Sequence, residues 1–561
     1  MPGAVGLDFG TTNTLCAWLD GAEPVLIPNA RGERLTPSAL AVLDSGELVY
    51  GSSARNQALA DPESVVLGLK RKLGRADSLS LKGKSHRPEE LAAALLSKVR
   101  KDAAAYLGFE PRDAVVTVPA RFSEPQRRSV RDAAAMAGFK VLRVMNEPTA
   151  AALARAWTLS KDSKDRLVLV YDFGGGTFDA TVLKSRGPVS RVLASEGDDQ
   201  LGGMDLDQAL YAHVAERFKR DYGIDPDADP YLRRVLLDRC EAAKIELSEL
   251  HSATVAVPFL RGPEGVTHPA VGIARDVLED LAAPVVGRTM AITRSVLKAA
   301  GVEPGAVDAL VLSGGSSRMP MVSRLLGDLC GRAADPRVNP EEIVALGAAI
   351  EAARLSGDLA LTAPGFEFTD VSSRILGLEI DGGGMLELIH KNQALPAIGQ
   401  RMFTTVEDYQ SSVEIHVLQA DDPDQAGAGV GRLSVGRFLL SGIRPAKRGV
   451  PRIQIEFELD ESDMLTVRAR DLDSGADQTV NFLGGRDPEL SPVERALALS
   501  DRARRLSDGM SLDPAMTAEL NELVESARDA AARADTDKAG QCAELLEALC
   551  AELDSRALAE R

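Results

Sequence analysis

Two short segments, far apart in the chain, carry the residues best suited to bind phosphate. Residues 8–13 read Asp-Phe-Gly-Thr-Thr-Asn and residues 172–177 read Asp-Phe-Gly-Gly-Gly-Thr, and each follows an apolar run. At a hairpin tip, glycines let backbone N–H groups approach an anion, and threonine hydroxyls add donors. Each carboxylate would repel a bare phosphate but can bind a hydrated Mg²⁺ ion. The repeated pattern predicts a duplicated α/β domain in which two phosphate loops and a metal ion hold one nucleotide.

The segments around these hairpins predict strands and helices that would position them. Residues 115–119 are an apolar run typical of a buried strand, and Ser123 can cap the helix that follows. Residues 309–312 form another apolar run, which is soon followed by Gly-Gly. From residue 413 apolar residues alternate with polar ones, as in antiparallel strands with one buried face. From residue 491 the pattern is helical, so an α/β domain, a β-domain and a helical tail are predicted in that order.

Composition and charge exclude several classes of protein. The chain has 561 residues, 45% of them hydrophobic, and a net charge of −18, which is unsuited to nucleic acid because phosphate backbones require basic surfaces. Its five cysteines are scattered without a C-x-x-C pair, which argues against a disulfide framework or zinc site and fits a reducing compartment. No signal peptide is recognisable, and no apolar run approaches the ~20 residues that span a bilayer. We therefore expect a cytoplasmic protein without nucleic-acid or membrane partners.

Four motifs occur in a fixed order along the first part of the chain. They are the hairpin at 6–13, the strand and Pro-Ala-Arg-Phe at 115–122, the run Asn-Glu-Pro-Thr-Ala-Ala at 146–151 and the hairpin at 172–179. In this order they resemble the DnaK-type heat-shock protein 70 chaperone family. Actins and sugar kinases share the fold that this family implies but lack the 146–151 run. The resemblance extends to about residue 485, and with its shortened tail the chain resembles the HscC-like branch.

The resemblance implies a multidomain chain. Residues 1–360 would form an actin-like α/β ATPase of two lobes with duplicated ribonuclease-H-like cores, and residues 361–370 a linker between domains. Residues 371–487 would form an antiparallel β-sandwich that binds peptide, and residues 488–561 a short α-helical lid. The linker reads Phe-Glu-Phe-Thr-Asp at 366–370, where the family usually has an aliphatic sequence.

The family's catalytic positions match five residues that would act in the hydrolysis of ATP. Asp8 and Asp172 would hold Mg²⁺, mostly through water, with K⁺ as a further candidate ion. Lys70 and Glu147 would orient the attacking water and balance charge, and Thr177 would contact the γ-phosphate. From the residues alone, Lys70 could equally be a solvated surface charge. Residues expected to bind ATP or ADP are Gly10, Thr11, Thr12, Asn13, Gly174, Gly175, Gly176, Thr177, Gly202, Gly203, Glu241, Lys244, Ser248, Gly314, Gly315, Ser316 and Arg318.

In the β-domain, the resemblance implies a pocket for one apolar side chain of an extended peptide from an unfolded client. The residues expected to line this pocket are Leu378, Phe403, Val413 and Ile415. Asp381, acidic where the family has an apolar residue, and Val406 would form an arch over the peptide. Arg143 matches a position that contacts a J-domain co-chaperone, and a nucleotide exchange factor is a further candidate partner. Met204 stands where the family usually has Glu. The protein is expected to be a monomer.

Three functions remain open from the sequence. The first is an ATP-dependent chaperone that binds short apolar segments of unfolded polypeptides, with its affinity switched by ATP binding and hydrolysis. The second is an ATP-regulated binding protein dedicated to one or few folded partners, which the unusual linker, Asp381 and the short tail favour. The third is a small-molecule kinase, which the β-domain disfavours. Competition by unrelated unfolded peptides would separate the first two, and a panel of sugars would test the third.

Overall fold

The structure, a computed structural model, describes the greater part of the chain. The described residues are 3–58, 60–74, 78–159, 164–262, 265–357, 365–380, 384–420, 432–481, 492–507, 514–533 and 535–559. They divide into two compact units. The first unit contains the residues up to 373 together with 461–463, and the second contains 374–460 and the residues from 464 onward.

The first unit is built from strands and helices that alternate along much of its sequence. Its strands are β1 Val5–Phe9, β2 Asn13–Asp20, β3 Glu23–Ile27, β4 Thr36–Pro37, β5 Leu40–Val42, β6 Leu48–Tyr50, β7 Val65–Val66, β8 Leu79–Leu81, β9 Lys84–His86, β10 Asp113–Val118, β11 Lys140–Asn146, β12 Asp165–Phe173, β13 Phe178–Arg186, β14 Val189–Asp198, β15 Ser252–Ala256, β16 Leu260–Gly262, β17 Gly265–Thr267, β18 Ala270–Ala274, β19 Ala309–Ser313 and β20 Glu367–Thr369. Its helices are α1 Ser52–Gln57, α2 Pro88–Leu107, α3 Glu124–Met136, α4 Glu147–Leu159, α5 Gly203–Tyr222, α6 Pro230–Glu249, α7 Arg275–Ala299, α8 Pro320–Cys330 and α9 Ile343–Ser356.

Two sheets of the first unit repeat one arrangement, in which a hairpin lies beside a parallel strand. The first sheet has the order β11-β10-β1-β2-β3, with β4 also paired to β2, and β1 runs antiparallel to β2 and parallel to β10. The second sheet has the order β19-β12-β13-β14-β20, and β12 runs antiparallel to β13 and parallel to β19. Each Asp-Phe-Gly segment ends the first strand of its hairpin. This repetition confirms the predicted duplicated α/β fold.

Helices α4 and α9 pack between the two sheets, and this core requires small residues. Strand β1 passes so close to α9 that a Cβ atom on Gly6 would lie 2.2 Å from the backbone nitrogen of Ala349. Ala150, Ala151 and Ala152 of α4 are fully buried in the same core. The alanine run that follows Asn-Glu-Pro-Thr is therefore part of the packing between the two halves of the unit.

The predicted linker contributes a strand to the second sheet. Residues 361–364 lie outside the described part of the chain, but Glu367–Thr369 form β20, which pairs in parallel with β14. Phe366 is 8% exposed and contacts the ring of Trp157 on α4 edge-on, with 5.5 Å between the ring centroids. Phe368 packs against the same core. The aromatic residues of this sequence are thus ordered within the first unit.

The second unit contains a β-sandwich. Its strands are β21 Ile375–Ile380, β22 Gly384–Ile389, β23 Ala397–Phe403, β24 Ser412–Ala420, β25 Leu433–Ser441, β26 Ile453–Leu459, β27 Leu465–Asp471 and β28 Asp477–Asn481. They form two antiparallel sheets, ordered β22-β21-β24-β25 and β23-β26-β27-β28, around one apolar core. The alternating apolar residues of β26 all face this core: Ile453, Ile455, Phe457 and Leu459. The predicted antiparallel β-sandwich is confirmed.

A bundle of three helices follows the sandwich. The helices are α10 Pro492–Ser507, α11 Pro514–Ala532 and α12 Thr536–Ala559. They pack around an apolar core of their own, which includes Ala503, Val524 and Leu546. Helix α10 also contacts β24 and β25 of the sandwich. None of the helices in the described ranges combines the length and the apolar character needed to cross a bilayer.

The cysteine side chains are all buried and free of disulfide bonds. They are Cys16, Cys240, Cys330, Cys542 and Cys550. Burial raises the pKa of the Cys16 and Cys240 thiols to about 12. Because the thiolate is the reactive form of cysteine, these two thiols are chemically inert in the folded protein.

Candidate active site

A cavity of about 460 Å³ lies in the first unit between the two Asp-Phe-Gly hairpins. Its volume is typical of a small-molecule site. The predicted site residues that line it are Asp8, Gly10, Thr11, Thr12, Asn13, Glu147, Asp172, Gly174, Gly175, Thr177, Gly203, Glu241, Lys244, Ser248, Gly314, Gly315, Ser316 and Arg318. Lys70, Gly176 and Gly202 are not part of its lining but contact residues close to it. The structure therefore brings together the nucleotide-binding residues expected from the sequence.

The first residues of α5 form hydrogen bonds to the second phosphate loop, residues 174–177. The N–H of Gly203 donates to the carbonyl oxygen of Gly174 at 2.9 Å, and the N–H of Met204 donates to that of Gly175 at 2.8 Å. In a trans peptide the C=O and the following N–H point in opposite directions. The N–H groups of Gly175 and Gly176 are thus turned away from α5, as a loop that binds an anion through its backbone requires.

Lys70 and Glu147 form a buried ion pair beside the cavity. Lys70 is 1% exposed and lies on a short 3-10 helix, Leu69–Lys72, whereas Glu147 is the first residue of α4. A lysine so deeply buried requires a fixed counter-charge. The structure therefore excludes the solvated surface charge that the sequence left open for Lys70.

Three further carboxylates, those of Asp8, Asp172 and Asp179, are buried close to this pair. Burial raises the pKa of each of the three, and the nearby charge of Glu147 raises each pKa further. Oδ1 of Asp8 accepts a hydrogen bond from Thr117 Oγ1 at 3.0 Å. Oδ2 of Asp172 and Oδ1 of Asp179 are buried and have no hydrogen-bond partner among the described residues. Asp8 and Asp172 line the cavity, whereas Asp179 is buried on the strand next to Asp172.

These carboxylates fit a hydrated divalent cation. Leaving a buried carboxylate oxygen unpaired is costly, and water molecules around a cation would supply the missing donors to Asp172 and Asp179. In the described ranges, no three His, Cys, Asp or Glu side chains are close enough to ligate a metal ion directly. Mg²⁺ keeps several of its water molecules and uses one or two carboxylates together with the phosphates of a substrate. The predicted metal residues Asp8 and Asp172, which both line the cavity, suit that ion.

The predicted nucleoside residues lie on α6 and in the turn after β19. Nζ of Lys244 pairs with Oδ1 of Asp207 at 2.7 Å and donates to the carbonyl oxygen of Gly203 at 3.2 Å. Burial raises the pKa of Asp207 to about 6, against the lowering effect of Lys244. Arg318 pairs with Glu341 at 3.1 Å. Lys244 thus links α6 to the start of α5, beside the second phosphate loop.

Arg55 is a cavity residue that the sequence did not identify. It lies on α1 and forms an ion pair with Glu241 of α6, so that the pair joins two walls of the cavity. A lone arginine on a helix of six residues gives no sequence signal, because its partner is 186 positions away. Ile245, the next residue after Lys244, is 61% exposed and offers the cavity an apolar surface.

Arg143, the predicted co-chaperone contact, is buried in the first unit. Its Nη1 pairs with Oε1 of Glu351 at 2.6 Å, and the two side chains are 4% and 0% exposed. Arg354 also pairs with Glu351, at 2.8 Å. Its Nη2 also donates to the carbonyl oxygen of Glu461, so a partner that binds the Arg143 guanidinium must displace both Glu351 and this carbonyl.

The predicted peptide-binding residues belong to one apolar cluster of the second unit. Leu378 and Ile415 are 3% exposed within the sandwich core, and the half-buried Phe403 and Val413 pack against it. Val406 of the predicted arch is 45% exposed, whereas Asp381 lies outside the described residues. Because Leu378 and Ile415 are closed off from solvent in this core, the structure does not test the peptide pocket, which stays a prediction.

A family model and several curated proteins match nearly the whole chain. The model of the family described as Hsp70 protein matches residues 4–81 and 76–559. Chaperone protein DnaK of Thermotoga neapolitana is 39% identical over 516 residues, which cover 91% of this chain and 85% of that protein. Proteins of the same name from Thermotoga petrophila and Thermotoga maritima match to the same extent. These matches do not address the HscC-like branch, which stays a prediction.

Proposed function

Since this chain belongs to the Hsp70 protein family, we propose that the cavity between its two hairpins is the site at which it hydrolyses ATP. The chain is an ATP-dependent chaperone and an ATPase of that family. One observation carries the residue assignments: both phosphate loops line a single cavity together with Asp8, Asp172 and Glu147, the partner of the buried Lys70. A dedicated binding protein and a small-molecule kinase are not favoured, because the relatives that match most of this chain are named as chaperones.

The γ-phosphate lies between the two loops in this proposal. Glu147 accepts a hydrogen bond from the attacking water and orients it, and Lys70 places a positive charge beside the phosphoryl group that is transferred. The Thr177 hydroxyl donates to the γ-phosphate. No strong base is required, because positioning and electrostatic stabilisation dominate phosphoryl transfer. The products are ADP and inorganic phosphate.

Asp8 and Asp172 would hold Mg²⁺, mostly through water, and the buried Asp179 lies opposite Asp172 on the neighbouring strand. When bound, the ion neutralises charge on the phosphate oxygens. The hydrogen bond from Thr117 fixes the Asp8 carboxylate in place. K⁺ is a further candidate ion at this site.

The nucleoside occupies the other end of the cavity. Glu241, Lys244 and Ser248 follow one another at helical spacing on α6, so their side chains reach the cavity from one face. The adenine ring lies against the turn after β19, where Gly314, Gly315 and Ser316 leave room for a flat ligand. The Arg318 guanidinium is suited to stack on that ring.

Clients bind to the second unit as extended peptides. One apolar side chain of the peptide enters the pocket of Leu378, Phe403, Val413 and Ile415. A J-domain co-chaperone contacts Arg143 after Glu351 has been displaced, and a nucleotide exchange factor resets the cycle.

The ATPase domain is residues 1–360, the linker 361–370, the sandwich 371–487 and the lid 488–561. The protein acts as a monomer in the cytoplasm.

Release of a labelled unfolded apolar peptide tests the proposal. ATP should release the peptide faster than ADP does, because ATP binding favours the state with low peptide affinity. Lys70→Met should lower steady-state ATP turnover by about 100-fold or more, since it removes a charge from the transferring phosphoryl group. Many unrelated unfolded peptides should compete for the same site.

Lys298→Met, on the exposed last turn of α7, is the matched control and should hydrolyse ATP at the unmodified rate. Undiminished turnover in Lys70→Met would contradict the assigned active site. Peptide release that ignores the nucleotide would contradict the proposed coupling.

A further inference from the structure

Arg71 lies next to Lys70 on the same 3-10 helix but reaches across to the second phosphate loop. Its side chain is 16% exposed, and its Nε donates to the carbonyl oxygen of Gly176 at 2.9 Å. Its Nη2 donates to the same oxygen and also pairs with Oδ2 of Asp205 at 3.2 Å. That carboxylate oxygen accepts the N–H of Gly202 at 2.7 Å as well, so Arg71 is fixed to the start of α5.

Arg71 completes a set of three carbonyl contacts along the loop. The carbonyl oxygens of Gly174 and Gly175 are held by backbone N–H groups of α5, and that of Gly176 is held by Arg71. The Ser316 hydroxyl also donates to the carbonyl oxygen of Gly174, at 2.9 Å, whereas Arg71 comes from the other hairpin's half of the unit. Three successive peptide groups are thereby turned the same way.

The third of these peptide groups carries the N–H of Thr177. Because the peptide is planar and trans, a carbonyl of Gly176 fixed by Arg71 turns the N–H of Thr177 in the opposite direction. Thr177 lines the cavity, whereas Gly176 and Arg71 do not. The contact therefore directs a backbone donor to the place where the γ-phosphate would lie.

We propose that Arg71 is a positioning residue for ATP hydrolysis, which orients the peptide bond between Gly176 and Thr177 toward the γ-phosphate. The proposal rests on the ATP site proposed above. A guanidinium suits this task because its planar fork can bind the carbonyl oxygen and Asp205 at once, which a lysine ammonium does with less geometric definition. Met204 is uncharged, so Asp205 is the carboxylate at the start of α5 that fixes the fork.

Kinetics and binding on the full-length protein test this role. Arg71→Met should lower kcat for ATP by about 10-fold or more, because one oriented donor to the transition state is lost. It should weaken binding of a non-hydrolysable ATP analogue more than binding of ADP, which has no γ-phosphate. Arg71→Lys should give an intermediate kcat. Arg324→Met, which breaks an exposed pair with Glu279 between α8 and α7, is the control and should match the unmodified protein.

Two results would overturn the proposal. The first is a kcat for Arg71→Met equal to that of Arg324→Met. The second is an equal loss of affinity for ADP and for the ATP analogue, which indicates a general structural role. If Arg71→Met does not fold, kcat and the affinities for ADP and the ATP analogue are compared between Arg71→Lys and Arg324→Lys, and the same two results would overturn the proposal. An unmodified protein without ATP turnover would instead contradict the proposed active site.

Discussion

At the scale of single residues, neighbouring cations on one short helix hold different parts of the site. Lys70 is paired with Glu147 at the start of α4, whereas Arg71 holds the second phosphate loop and Asp205. Both side chains are largely removed from solvent, and each has a defined anionic or carbonyl partner. The positive charge of this segment alone therefore does not explain what Lys70 and Arg71 do, because each side chain points to a different partner.

Glu124, the first residue of α3, makes the stability of the protein depend on pH. Burial raises its pKa to about 8 from 4.5, although Arg127 and Arg128 lower it. The folded protein thus binds this proton more tightly than the unfolded chain, so the free energy of unfolding falls as pH rises from about 4.5 to about 8. Glu124→Gln, which does not titrate, should gain stability over the unmodified protein as pH rises through this window, by up to a few kcal/mol.

Thermal melting of both proteins at the two ends of this window measures the effect. Glu216→Gln, at an exposed position on α5, is the control and should differ from the unmodified protein equally at both pH values. The same constant difference for Glu124→Gln would show that the carboxyl group does not titrate with folding.

At the scale of elements, the edge strand β20 of the second sheet comes from the predicted linker, far along the chain from the other strands of that sheet. Strand β20 has only three residues and pairs in parallel with β14. Phe366, which precedes the strand, and Phe368 within it pack against the core around α4, while Glu367 is exposed. The strand is therefore held by aromatic packing as much as by its short hydrogen-bonded ladder.

Phe366→Ala should release β20 from the sheet. The change removes a buried ring and its contact with Trp157, a loss of about 3 kcal/mol for a buried phenylalanine. Hydrogen exchange of the amides in Glu367–Thr369 should become much faster, whereas exchange in β13 should stay slow. Glu367→Gln alters the exposed side chain of the same strand and should leave exchange unchanged. Equal protection in Phe366→Ala would mean that backbone pairing alone holds the strand.

The sequence predicted those elements whose signal lies entirely within their own residues. The two Asp-Phe-Gly hairpins and the alternation of β26 could be read directly, because turn residues and a period of two are local properties. Strand β20 could not be predicted, since its three residues form a strand only where β14 offers a free edge. The ion pair of Arg55 with Glu241 and the contact of Arg71 with Gly176 were missed for a similar reason, because their partners meet only after the chain has folded.

At the scale of the whole molecule, the chain is divided among several separate apolar cores. Each sheet of the first unit has its own core, and a third lies around α4 and α9 between them. The sandwich and the helical bundle of the second unit also have separate cores. Changes in one core should therefore have limited effects on the others.

Removal of residues 488–561 should separate peptide retention from ATP hydrolysis. ATP turnover should be nearly unchanged, because α10, α11 and α12 share a core of their own in the second unit. Peptide release in ADP should become faster if these helices cover the client, as the predicted lid would. Fluorescence of a labelled peptide and phosphate release measure the two effects on the same sample. Unchanged peptide release would contradict the lid assignment, and loss of turnover would show that ATP hydrolysis depends on these helices.

The five buried thiols have a practical consequence for labelling. A thiol reagent needs an accessible thiolate, and the folded protein presents none of its own cysteines at the surface. The native sequence thus already serves as a background without reactive cysteine. A single cysteine introduced at an exposed position, such as Lys298 on α7 or Glu367 on β20, would carry a fluorescent or spin probe without any change to the natural cysteines.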